Sequence, residues 1–271
     1  MPIKVFERIL KKIKTSYGFI DLNELKNNPN QLKKGVLLTF DDAYYDFYEN
    51  VFPLLQKYNI PCVLNVITDC ATIGESFWTQ KLNKIVEAFY SEKREKELEL
   101  LPFFKAPSKN NPEMMALQLF RQILPFENKE DPIQKMTKLL GYTPEWTKMM
   151  TWKEIKEMSD FGIHIGSHSV SHANFSILKE EEIMRELKVS KQNIEQNIKK
   201  EVECIAYPNG QFTSKVIELS KDAGYKFGFS VENKSFQISD KDFQIIPRIL
   251  VYHQKFWKLC LQFIKLRIEN H

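Results

Sequence analysis

Residues 35–67 read GVLLTFDDAYYDFYENVFPLLQKYNIPCVLNVI. The first six, Gly35 to Phe40, form an apolar run that stops abruptly at Asp41-Asp42. A continuous run of this kind suits a strand buried on both faces of a parallel sheet. Tyr45 to Tyr58 carries apolar residues at helical spacing, and Pro61 then introduces a second apolar run, Cys62 to Ile67. Strand, helix and strand in such a short stretch make a βαβ unit, which predicts an α/β fold with parallel strands.

The rhythm continues outward from this unit. Ile3, Phe6, Leu10 and Ile13 share one face of an opening helix. Further along, Trp152 to Phe161 reads as a helix, Gly162 to Gly166 as a strand and Lys179 to Lys199 as a long charged helix. Cys204 to Tyr207 is the next strand, broken by Pro208-Asn209-Gly210. Thr213 or Ser214 then caps a helix that stops at Gly224. Strands over Lys226 to Ser230 and Ile245 to Val251 precede a closing amphipathic helix from about Gln254. The texture differs over about 76–147, where the helical segments Trp78 to Lys96, Glu113 to Leu124 and Pro132 to Leu140 carry no strand signal. This stretch is expected to be a helical insertion in a single domain spanning 1–271, either shaping a site or acting as a stabilising appendage.

A chain of 271 residues with 43% hydrophobic and 27% charged residues buries a sizeable core and has the make-up of a soluble globular protein. Lys plus Arg number 39 and Asp plus Glu 35, so the formal charge of +4 is too small for a nucleic-acid binder. Cys62, Cys70, Cys204 and Cys260 form no CxxC pair and are read as reduced, which fits a cytoplasmic location. The first 20 residues lack a continuous apolar core and do not read as a signal peptide. No stretch approaches the roughly 20 apolar residues of a membrane span, although the apolar and basic C-terminal run leaves peripheral membrane contact open.

Three residue clusters follow predicted strands, and the carboxyl ends of parallel strands are where α/β folds build their sites. In Thr39-Phe40-Asp41-Asp42, adjacent carboxylates repel and are costly to half-bury unless a metal or base chemistry uses them; capping the next helix is the plain alternative. In Ser167-His168-Ser169-Val170-Ser171-His172, two His at i and i+4 share a face if the segment is a helical turn, which suits one divalent metal; solvated surface His pairs also occur by chance. One carboxylate and two imidazoles would leave open positions on the ion, the mark of a catalytic site. In Ala206-Tyr207-Pro208-Asn209-Gly210, a turn directly after a strand can aim a backbone N–H at a ligand, or be only a turn.

These clusters together resemble the polysaccharide deacetylases with a NodB homology domain (carbohydrate esterase family 4). The family's TFDD motif, followed there by Gly, matches Thr39 to Asp42 followed by Ala43; its H-S/T-x-x-H motif matches His168 to His172; a variant of its third motif matches Ile205 to Gly210. The resemblance covers about Phe6 to Val251 and implies a distorted (β/α) barrel of about seven strands with a helical insertion. It implies Asp41 as general base and Asp42, His168 and His172 as ligands of a divalent metal, zinc first, with cobalt or nickel suited to the same donors. The implied reaction is hydrolysis of the N-acetyl group of an amino sugar in a bacterial polysaccharide or its lipid- or nucleotide-linked precursor. An O-acetyl esterase or amidohydrolase with the same site, and a non-catalytic carbohydrate-binding relative, are the alternatives.

The remaining assignments are less direct. The backbone N–H near Asn209 is expected to hold the oxyanion, with Tyr207 beside it. Many members carry an Arg two residues before the third-motif Pro, where this chain has Ala206; Arg248 is expected to substitute from a neighbouring strand, the alternative being a surface ion pair. His253 is the candidate general acid, and His164, inside a strand, is the other option with packing its plainer role. Trp78, with Phe77, is expected to wall the substrate cleft. An ordinary backbone conformation is expected at Ala43.

Overall fold

A computed structural model describes residues 1–27, 35–107, 111–126, 128–231 and 243–251 of the chain. The chain forms two compact units, Met1–Ile73 with Met150–His271, and Gly74–Met149.

The first unit opens with α1 (Ile3–Ser16), which buries Ile9, Leu10 and Ile13, and α2 (Leu22–Asn27). A five-stranded parallel sheet follows in sequence order: β1 (Thr39–Phe40), β2 (Val63–Val66), β3 (His164–Ser167), β4 (Cys204–Ala206) and β5 (Phe227–Phe229). Isolated parallel bridges, Phe19 to Val36 before β1 and Phe229 to Ile246 after β5, add one segment at each edge. The predicted strands over 35–40 and 245–251 are therefore shorter than their apolar runs. The sheet also curls: Arg248, just past the last segment, bonds Thr39 and Asp41 at the opposite edge.

Connections between strands are helical, as parallel pairing requires. Between β1 and β2 the chain forms a π-helical turn (Phe47–Val51) and then α3 (Phe52–Tyr58), where one continuous helix is expected from spacing. Pro53 explains the break, because it has no N–H to continue the i→i−4 ladder. After β2 comes α4 (Thr68–Ile73). The second unit packs α5 (Trp78–Ser91), a 3₁₀ turn (Glu95–Leu100), α6 (Pro112–Ile123) and α7 (Glu130–Leu140) around its own core of Leu82, Ile85, Phe89, Leu119, Ile123 and Met136. Its entry and exit meet through a bridge between Glu75 and Lys148 and a Met149 N–H bond to the Gly74 carbonyl (3.2 Å).

The first unit resumes with α8 (Trp152–Phe161), closed by a left-handed Gly162. After β3, α9 (Glu180–Ile198) buries Ile183, Leu187, Ser190, Ile194 and Ile198, a spacing of three and four that lays one face on the sheet. After β4, α10 (Ser214–Asp222) is capped by the Thr213 side chain on the Val216 N–H. The core of this unit includes Leu55, Leu64, Val66, Ile155, Leu187, Ile205 and Tyr207. Cys62, Cys70 and Cys204 are buried, with no disulfide among the described residues; Cys260 lies outside the described residues. No described helix is long and apolar enough to cross a membrane.

Candidate active site

Asp41 and Asp42 follow β1 directly, and each is fixed differently. Asp41 receives a two-pronged bond from Arg248, Nη1 to Oδ1 and Nη2 to Oδ2, both at 2.7 Å. Such a fork fixes the position of a carboxylate and treats its two oxygens alike. Asn65 on β2 donates to Oδ1 from the other side at 2.8 Å. Arg248 is itself held, its Nε on the Ser230 carbonyl (3.1 Å) and Nη1 near Thr39 Oγ1 (3.3 Å). It is a partly buried side chain, 11% exposed, and not a surface ion pair. Burial alone would raise the Asp41 carboxyl; the His168 ring, the Arg248 guanidinium and the Asn65 amide outweigh it and hold it well below the usual carboxylate range.

Asp42 turns toward the imidazoles. Its Oδ1 lies 3.4 Å from His168 Nε2 and 3.7 Å from His172 Nε2. Among the described residues this oxygen is buried without a hydrogen-bond partner. Burial pushes the Asp42 carboxyl up to about 6, and the Asp41 charge adds to the rise, against the lowering pull of His172 and a hydrogen bond from Tyr44. Burial also lowers both imidazoles, His172 to about 4, so both rings are neutral near pH 7.

The tautomer of His168 follows from its partner. Its Nδ1 sits 2.7 Å from the Ala206 carbonyl oxygen, which can only accept, so Nδ1 carries the proton and Nε2 carries the lone pair. That second bond is the usual way a ligating His is oriented. One donor atom each from Asp42, His168 and His172 lies within 4.8 Å of the others. An orphaned buried carboxylate oxygen facing two neutral ring nitrogens is a donor set that fits a divalent cation. Without one, the raised carboxyl is an uncompensated cost.

The loop that presents His172 is not the helical turn expected from the i, i+4 spacing. Ser169 and His172 are left-handed, with φ of 67° and 56°, and the rings meet edge to face with centroids 4.9 Å apart. Glu186 of α9 replaces the missing helical bonds, accepting from the N–H groups of Val170 (2.8 Å) and Ser171 (3.1 Å) and from Ser171 Oγ (2.8 Å). Behind it, Ser169 N–H, Ser167, Ser190 and Tyr225 form a buried hydrogen-bonded chain. Asp42, Ala43 and Asn209 are left-handed as well. Five of the eight described non-glycine residues with positive φ thus fall in the three loops carrying the sequence clusters, where strain of about 1–3 kcal/mol each is held by the surroundings. Ala43 accordingly departs from its expected ordinary backbone, with φ of 65°.

The other expected residues are dispersed. Tyr207 is fully buried; its hydroxyl donates to the Gln244 carbonyl (3.0 Å) and its N–H to Phe229 (3.1 Å). Asn209 is the middle residue of a 3₁₀ turn (Pro208–Gly210) whose Gly210 has no room for a side chain, since a Cβ there would come within 2.6 Å of Val231. Trp78 stacks on Phe120 inside the second unit, ring centroids 5.2 Å apart. His164 opens β3, four residues and about 13 Å of strand from His168. It lines a cavity of about 340 Å³ with Asp21, Ser159, Lys200 and Glu203. His253 lies outside the described residues. Sequence reasoning missed Asn65 and Glu186. A lone amide inside the apolar run of β2 was a visible signal; one Glu among many on α9 was not.

Comparison with known proteins agrees with this geometry. A family model described as polysaccharide deacetylase matches residues 28–92 and 125–228. The poly-β-1,6-N-acetyl-D-glucosamine N-deacetylase of Staphylococcus aureus is 26% identical over 264 residues, covering 93% of this chain and 67% of that protein. Among solved structures, the Streptococcus pyogenes deacetylase PplD in complex with acetate superposes with a TM-score of 0.62 at 20% identity, over 96% of this chain and 86% of that one. A polysaccharide deacetylase from Bacillus cereus gives 0.61 at 20% identity, over 96% and 61%. With its parallel sheet curled into a half-barrel and its first two strand-end clusters meeting beside the Ala206 carbonyl, the chain belongs to the polysaccharide deacetylase family.

Proposed function

We propose that this chain hydrolyses the N-acetyl group of an amino sugar in a polysaccharide or its lipid- or nucleotide-linked precursor, with Asp41 as the base. The observation that carries the reading is the divergent treatment of two adjacent carboxylates: Asp41 is clamped in its charged form, while Asp42 faces two neutral imidazoles with an unpartnered oxygen. A divalent ion held by Asp42, His168 and His172, with zinc favoured by one carboxylate and two imidazoles, supplies Lewis acidity toward the acetyl carbonyl and toward water. Asp41 takes the proton of the attacking water, and Arg248 keeps the carboxylate aimed. The Asn209 N–H is the backbone donor we assign to the oxyanion, because that of Tyr207 is committed to Phe229. His253 is our candidate for protonating the departing amine. Trp78 and Phe77 remain our candidates for sugar contact.

The Staphylococcus aureus relative makes β-1,6-linked N-acetylglucosamine oligomers the first substrates to try. The buried thiols Cys62 and Cys204 favour a reducing, cytoplasmic setting, and hence a precursor arm in the same panel. Acetate release should require added zinc after chelation and should be abolished in D41N, which keeps the metal ligands but cannot accept a proton. Bound metal with no acetate from any N-acetylated sugar would reject the N-deacetylase reading and leave an O-acetyl ester as the substrate to try.

A further inference from the structure

β2 reads Val63-Leu64-Asn65-Val66, and all four residues are completely buried. An amide in such a strand costs about 1–3 kcal/mol unless its hydrogen bonds are met. The Asn65 Nδ2 donates to Asp41 Oδ1 at 2.8 Å and reaches the Phe40 carbonyl at 3.3 Å. Both partners are acceptors, which fixes the amide orientation and leaves Asn65 Oδ1 without a partner among the described residues. The space for this amide is kept by Gly166, its neighbour in register on β3. A Cβ at Gly166 would come within 2.3 Å of Asn65 Oδ1 and 2.6 Å of Cys204 Sγ. A polar residue that merely tolerated burial would need neither the vacant neighbour nor the orphaned acceptor.

The consequence lies in the count of donors on Asp41. Oδ1 accepts from both Arg248 Nη1 and Asn65 Nδ2, whereas Oδ2 accepts from Arg248 Nη2. A carboxylate oxygen has two in-plane lone pairs, so Oδ1 is saturated and Oδ2 keeps one. We propose that Asn65 is a positioning residue that locks the plane of the Asp41 carboxylate and makes Oδ2, not Oδ1, the oxygen that takes the proton. Arg248 alone leaves that choice open, since its fork treats the two oxygens alike. The kinetic half of the inference rests on Asp41 being the base, as proposed above; the structural half does not.

The test compares wild type with Asn65→Leu, which keeps the volume and removes the donors, and with Asn65→Ala in case the Leu variant fails to fold. Steady-state kinetics on the best acetylated sugar, zinc affinity by calorimetry and crystal structures are measured for each. The expected result is a kcat lower by about 10- to 100-fold, with KM and zinc affinity within about twofold, because the ligands and the binding surface are untouched. The Asp41 carboxylate should turn out of its wild-type plane or split between two orientations. A general loss of structure would instead weaken zinc binding along with the rate. An unmoved carboxylate overturns the proposal whatever the rate, and so does a wild-type kcat in an active preparation. Should wild type release no acetate from any sugar, the functional reading fails, and the crystal structures still decide whether Asn65 holds Asp41.

Discussion

Adjacent in the chain, Asp41 and Asp42 ionise differently because one faces a guanidinium and the other two neutral rings, and this gives opposite dependences on pH. The native pKa of Asp41 is depressed, so its contribution to stability is full above the ordinary value of 3.8 and is lost as pH falls through the depressed native value. That of Asp42 is raised from 3.8 to about 6, so the metal-free protein loses stability as pH climbs through this window and carries the full penalty above it. Asp42→Asn should therefore stabilise the chelated protein at pH 7 by about 1–3 kcal/mol while abolishing zinc binding. Denaturant titrations at pH 7 and pH 4 check this, since the gain should vanish at the lower pH. Both carboxylates were legible in the sequence as a pair worth explaining, whereas their separate roles and the Arg248 partner were expected only through the family resemblance, because Arg248 arrives from 207 residues away. The left-handed Ala43 was hidden. Its strain of about 1–3 kcal/mol is only partly offset by about 0.8 kcal/mol from its buried methyl, and the surrounding structure holds the rest.

The loop between β3 and α9 shows how an element supplies what local sequence lacks. Nothing in Ser167 to His172 dictates left-handed residues at Ser169 and His172, and the His spacing points to a helical turn. The loop takes its shape from α9, whose Glu186 carboxylate gathers two backbone N–H groups and one hydroxyl. Bonds to a charged acceptor are worth about 1.5–3 kcal/mol, enough to offset the backbone strain. Glu186→Gln can no longer accept the full set of bonds and should weaken zinc binding by about 10- to 100-fold with little change in helicity. Isothermal titration with zinc, beside far-UV circular dichroism, would measure both; unchanged affinity would show that the loop holds its shape unaided. The helices and strands themselves were readable to within a few residues, since apolar period and caps such as Thr213 and Gly224 are local signals. The edges were not. The apolar run before Val251 reads as a strand but among the described residues forms one bridge, at Ile246, because a strand also needs a partner that the run itself does not specify.

The two units divide their cores as cleanly as their chain segments, with Leu82 to Leu140 supplying the second unit's core and none of the first's. Asp41, Asp42, Asn65, His168, His172, Glu186 and Arg248 all belong to the first unit. Replacing residues 75–148 by a short Gly/Ser linker should therefore leave a folded protein that still binds zinc, because the ends to be joined, Gly74 and Met149, are already hydrogen-bonded. A cooperative thermal transition and zinc titration of the excised protein check this, and a molten product would mean that the first unit depends on the second. The change in activity on the sugar panel would then report what the helical unit adds to substrate handling. The closed entrance at Glu75 and Lys148 also has a mechanical meaning. Once tension applied between handles on α1 and Val251 has opened the first unit, the pull reaches the second across the hydrogen bond from Met149 to Gly74. The helical unit carries no load until that clasp opens, and its contour length is then released in a step of its own.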